Sequence, residues 1–150
     1  MKRNSVLVLL TLFISTAAYS QNPKGTHSNE GPIVDILKES IVSYNSGDWN
    51  TYRSNFADTA QFHINSPDPI SLDERMSHMV EGLQGVDSYE IANPVYAHIH
   101  TAEGLDWGMV WGAWVGTVGG EEETIMIHTA TRFENGKAVV QWGFWDSSEN

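Results

Sequence analysis

The feature that most constrains this chain is a change of hydrophobic period near residue 88. Before it, apolar side chains recur every three or four positions; after it, the pattern is that of extended segments. Pro32 sits where a first helical residue belongs, and Ile33, Val34, Leu37, Ile41 and Tyr44 form one stripe that stops at Gly47. Asp48 is placed to cap a short second helix carrying Trp49, Tyr52 and Phe56, and residues 60–65 read as extended. Ser66-Pro67-Asp68-Pro69 breaks the chain. Ser71-Leu72-Asp73-Glu74 has capping-box spacing, and Leu72, Met76, Met79, Val80 and Leu83 continue a third helix to near Gly85. Strands follow near residues 89–100, 107–118, 124–133 and 137–145. Helices first and a strand meander afterwards predict an α+β fold. A length of 150 residues suits one core, not two.

Charge and cysteine content remove whole classes of function. Eight basic residues against nineteen acidic ones give a formal charge of −11, so nothing attracts this chain to nucleic acid or anionic lipid. With no cysteine there is no disulfide, thiolate metal site or cysteine nucleophile. The N-terminus reads Met1-Lys2-Arg3, then an apolar run over residues 6–14, then Ala18-Tyr19-Ser20, the three-part layout of a secretory signal. The run is well short of the roughly 20 apolar residues that span a bilayer. Residues 1–20 are therefore expected to be a signal peptide, leaving a secreted or periplasmic chain with no membrane attachment and six basic residues against nineteen acidic, or −13. Residues 21–31 are polar and aperiodic, a flexible lead-in to a domain over residues 32–147.

The order of a helix, Tyr44-Asn45-Ser46-Gly47-Asp48-Trp49, Phe56-Ala57-Asp58 before a strand, and Arg132-Phe133-Glu134-Asn135-Gly136-Lys137 with Trp142 and Asp146 resembles the nuclear transport factor two-like superfamily, nearest its SnoaL-like branch. The resemblance implies a cone-shaped curved antiparallel sheet wrapped around a long N-terminal helix, with two shorter helices and a pocket at one end. Members include isomerases, cyclases, dehydratases, epoxide hydrolases and binding proteins. Ketosteroid isomerase chemistry needs a carboxylate base, a tyrosine and a protonated acid, and the matching positions here hold Ile64 or Asn65, Ser40 and Thr129. An Asp-Arg-Asp set for epoxide hydrolysis also finds no support. Arg53, Arg75 and Arg132 are the arginines left after signal removal, and none falls on the expected pocket face.

Register assigns that face from the residues alone. Asn135-Gly136 between two β segments signals a two-residue turn, which makes Glu134 oppose Lys137. Counting outward pairs Phe133 with Ala138, Thr131 with Val140, Thr129 with Trp142, Ile127 with Phe144 and Ile125 with Asp146 on one face, which should meet the helices. If Gly119-Gly120 makes an even-length turn, Gly108, Val110, Gly112, Trp114 and Gly116 join them. Those glycines are either a cavity floor or a device for curvature and close packing. Trp107, Met109, Trp111, Ala113 and Val115, with Met126 and Trp145, then form an outer apolar patch that calls for cover, most simply by a homodimer.

Candidate ligand-binding residues are Tyr52, Phe56, Val110, Trp114, Thr129, Trp142 and Phe144. Asp146 is the inward carboxylate this register offers as an acid/base, with His63 and Asn65 on the first strand as an alternative base and its neighbour. His98-Ile99-His100 with Glu103 nearby lacks the spacing of a known metal set and reads as two solvated strand histidines. No metal or cofactor is expected. The expected function is capture of a small apolar or amphipathic molecule in an aromatic-lined pocket. Two alternatives are a SnoaL-like lyase or isomerase using a carboxylate, and a non-catalytic dimerisation module.

Overall fold

The computed structural model describes residues 25–145; the expected signal at residues 1–20 and the candidate acid Asp146 lie outside the described residues. The chain runs through β1 (Thr26–Ser28), α1 (Pro32–Ser46), α2 (Trp49–Ser54), β2 (Phe56–Ile64), β3 (Ile70–Ser71) and α3 (Leu72–Gly82). Four long strands follow: β4 (Val86–His100), β5 (Asp106–Val118), β6 (Glu121–Glu134) and β7 (Lys137–Trp145). All strands join one sheet in the order β1-β4-β5-β6-β7-β2-β3. Successive hairpins make β4 to β7 antiparallel, whereas β2 runs parallel to β7. The sheet is thus mixed rather than wholly antiparallel, because the last strand of the meander docks beside a strand laid down before it began.

Local chemistry sets the helix ends. Gly47 terminates α1 at φ 68°, a left-handed conformation that costs glycine little. The Asp48 side chain accepts from the Thr51 amide at 3.1 Å and starts α2. At α3 both arms of the capping box close: the Glu74 amide donates to Ser71 Oγ at 3.2 Å, and the Ser71 amide donates to Glu74 Oε2 at 2.8 Å. Helix α1 packs on β4, β5 and α2. The core beneath joins Leu37, Tyr52, Phe56, Phe62, Leu72, Met79, Val110 and Phe133. Each large apolar side chain buried there stabilises the fold by about 1.5–3 kcal/mol relative to exposure.

Two differences from the sequence expectation matter for the site. Residues 26–28, expected within a flexible lead-in, form β1 and pair with His98 to His100 of β4. Without them that sheet edge would present a row of unpaired amides and carbonyls, which any extended segment can satisfy. The second difference is in β7. Both predicted turns form, with positive φ at Asn135, Gly136, Gly119 and Gly120, and Phe133 pairs with Ala138 as counted. Arg132 then pairs with Val140, leaving Val139 as an extra residue, and every later pair is displaced by one. Beyond the bulge Thr131 faces Gln141, Thr129 faces Gly143 and Ile127 faces Trp145. Because side chains alternate with period two, the bulge exchanges the two faces of β7.

Candidate functional site

Between the helices and the inner sheet face lies a cavity of about 250 Å³. Its floor comes from β5 and β6: Val110 and Trp114 on one strand, Ile125, Ile127, Thr129, Thr131 and Phe133 on the next. These positions alternate along both strands, so period two delivers a continuous apolar surface. Helix α1 contributes Leu37, Ser40, Ile41 and Tyr44; α2 contributes Tyr52, and α3 contributes Arg75, His78 and Met79. Phe56, at the start of β2, closes the base.

The inner glycines of β5 do not form an open floor. A Cβ on Gly108 would fall 2.8 Å from carbons of both Leu37 and Phe133, and one on Gly116 would fall 2.1 Å from the Trp114 ring. Side chains already lie over both backbones. Glycine at position 116 lets the Trp114 indole lie along its own strand and form a wall of the cavity, so close packing is the role these residues play.

Of the expected ligand-binding residues, Tyr52, Phe56, Val110, Trp114 and Thr129 line the cavity, and Trp142 and Phe144 do not. The bulge at Val139 places those two on the outer face and brings Gln141 and Trp145 inward instead. Trp145 accordingly leaves the outer patch to which the regular register assigned it. His63 is also outside the cavity: its ring stacks on Trp142 with centroids 3.8 Å apart, and its Nδ1 lies 2.9 Å from the Pro67 carbonyl. A carbonyl only accepts, so Nδ1 carries the proton in this contact.

Arg75 is the cavity residue that register counting on the strands could not find. Its guanidinium lies over the Trp145 ring, 5.8 Å from the centroid, and its Nε is buried with no hydrogen-bond partner among the described residues. The ion pairs formed among those residues involve Arg53 and Arg132 but not Arg75. The signal was present in α3, where Leu72, Arg75 and Met79 are spaced by three and four and share one helix face. The earlier expectation that no arginine reaches the pocket is therefore corrected.

The remaining polar groups are partly committed. Gln141 Nε2 donates to Thr131 Oγ1 at 3.0 Å, and Asn55 Nδ2 donates to Ser40 Oγ at 3.1 Å. Burial pushes the Tyr44 hydroxyl up to about 12, against opposing contributions from Trp114 and the charge of Arg75. Burial also raises Tyr52, again opposed by Arg75. Both phenols stay protonated at neutral pH and can donate into the cavity. No aspartate or glutamate lines it among the described residues.

No family model matches the sequence, and no curated protein does either. Solved structures do match in shape. IdmH of Streptomyces antibioticus, a candidate polyketide cyclase, is 17% identical with a TM-score of 0.63 over 78% of this chain and 93% of that one. A candidate polyketide cyclase from Xanthomonas campestris pv. campestris is 12% identical with a TM-score of 0.67, covering 79% and 93%. A candidate SnoaL-like polyketide cyclase from Shewanella denitrificans is 13% identical with a TM-score of 0.60, covering 78% and 92%. The chain shares the fold of these structures. Identities this low speak to fold and leave the chemistry to the site.

Proposed function

We propose that this chain is an exported binding protein whose cavity, lying between the sheet and the helices, takes a small molecule with an apolar body and an anionic or strongly accepting head group. The observation that carries this reading is Arg75, the one arginine or lysine among the described residues lining the cavity, set among apolar, phenolic and neutral polar side chains with His78 on the same helix. Arg75 is half-buried with its Nε buried and unpartnered among the described residues, and its planar fork suits a carboxylate or enolate oxygen pair. At about 250 Å³ the cavity sits just below the usual range of roughly 300–1,000 Å³, which favours a ligand of one or two rings. Trp114 and Trp145 supply flat walls for such rings.

The lyase or isomerase alternative needs a proton carrier at the ligand. Among the described residues that carrier is not a carboxylate, and Asp146 is tested directly: Asp146→Asn should leave ligand affinity unchanged if the protein only binds. The outer sheet face supports self-association as a further part of the proposal, since Trp111, Met126 and Phe144 are 40%, 64% and 46% exposed on it. Native mass spectrometry of protein purified from its host checks the main reading. A retained acidic small molecule is the expected result; a chain that is always empty, and that ignores added aromatic acids, would count against it.

A further inference from the structure

A second group of side chains gathers at the end of the β4–β5 hairpin. His98 and His100 alternate along β4 and so project from one face, and Asp106, the first residue of β5, is directly opposite His100 and diagonal to His98. His98 Nε2 and His100 Nδ1 each lie 2.8 Å from the same atom, Asp106 Oδ1. These three donor atoms are all within 4.8 Å of one another. The carboxylate that completes the group is Asp106 across the hairpin, while Glu103, nearer in sequence, is exposed in the turn.

We propose that His98, His100 and Asp106 form a binding site for a divalent transition-metal ion of the zinc class. Imidazole and carboxylate donors with bonds of about 2.0–2.2 Å to one ion stand roughly 2.9–3.5 Å apart. The two 2.8 Å separations need only slight expansion to accept an ion between the groups. Two imidazoles argue against calcium and magnesium, which take oxygen ligands, and in favour of zinc, nickel or copper. Three protein donors leave further coordination positions for water.

The hairpin holds this spacing independently of any ion. The Thr101 amide donates to the Leu105 carbonyl at 2.9 Å, the Gly104 amide to the Thr101 carbonyl at 3.0 Å, and the Leu105 amide to Thr101 Oγ1 at 3.2 Å. Donors fixed in advance lose little freedom on binding. The site is also accessible, with side-chain exposures of 22% for His98, 48% for His100 and 37% for Asp106. Because β1 pairs with His98 to His100, an ion here would brace the strand on which the N-terminal segment docks.

The test is titration of the purified protein, free of any histidine tag, with zinc chloride, followed by calorimetry and by NMR of the histidine rings. One ion per chain with Kd at or below about 10 μM is expected. The ring signals of His98 and His100 should move while those of His27, His63, His78 and His128 stay. His100→Gln and Asp106→Asn should each weaken binding by about 10- to 100-fold. No saturable binding up to about 1 mM, ring shifts spread over all six histidines, or an affinity unchanged in His100→Gln would overturn the proposal. The ring-signal readout uses the unaltered chain, so it stands even if a variant folds poorly.

Discussion

The two faces of the sheet carry similar side chains and use them in opposite ways. On the inner face Trp114, Trp145 and Phe133 stand around an empty volume, with a guanidinium among them. On the outer face the rings fill one another's gaps. Trp111 stacks on His128 at 5.2 Å, His128 lies 6.1 Å from Phe144, Phe144 6.5 Å from Trp142, and Trp142 stacks on His63. Aromatic content therefore does not distinguish a binding pocket from an interaction surface. Space and charge do. The helices hold the inner rings apart, and among the described residues no helix covers the outer ones.

Ring truncation should separate the faces most clearly. Phe133 is 5% exposed and packs in the core, so Phe133→Ala should cost about 3–5 kcal/mol in denaturant unfolding. Phe144→Ala removes a ring that is 46% exposed and should cost under about 1 kcal/mol. If the outer face self-associates as proposed, the effect of Phe144→Ala should appear in light scattering instead, as a smaller assembly than the unaltered chain forms. Equal stability losses at the two positions would erase the distinction drawn above.

Alkaline pH probes the inner face through Tyr44. Tyr44 has its folded-state pKa raised from 10.0 to about 12, so the folded chain keeps a proton that the unfolded chain gives up. The stabilisation is complete below pH 10 and is lost as pH rises from 10 to about 12, a change of about 2–3 kcal/mol. Tyr44→Phe should flatten that part of the stability profile. Tyrosine absorbance should show Tyr44 ionising late.

A smaller effect is expected where the glycine pattern meets the cavity. Gly116→Ala sets a methyl against the Trp114 ring and pushes the ring into the empty volume, at about 1–3 kcal/mol. Ligand binding should fall with it. If binding survives, Trp114 has somewhere else to go and the wall is softer than described.

What could be read from the sequence follows from where local chemistry decides. Gly47, the Ser71–Glu74 box and the Asn135-Gly136 turn act within a few residues, and each forms as its residues dictate. The bulge at Val139 was hidden because Val139 and Val140 are interchangeable in pattern and each face of β7 carries an aromatic side chain, Trp142 and Phe144 on one and Trp145 on the other. Either register buries apolar area, and pairing with β2 and β6 chooses between them. Arg75 was hidden in a different way. A cation between Leu72 and Met79 looks like an interruption of an apolar stripe until the helix is seen to face a cavity. Asp106 joins His98 and His100 only through cross-strand pairing, a contact that spacing along the chain does not show.

The central claim is that Arg75 reads a negative head group inside an apolar cavity. Titrating the protein with 2-naphthoate and with its neutral counterpart 2-naphthamide, following tryptophan fluorescence, isolates the charge because the two molecules differ little in shape. The unaltered protein should prefer the acid by at least about tenfold, or 1.4 kcal/mol, and Arg75→Met should abolish that preference while binding the amide as before. Equal affinity for acid and amide in the unaltered protein, or a preference that survives Arg75→Met, would contradict the account.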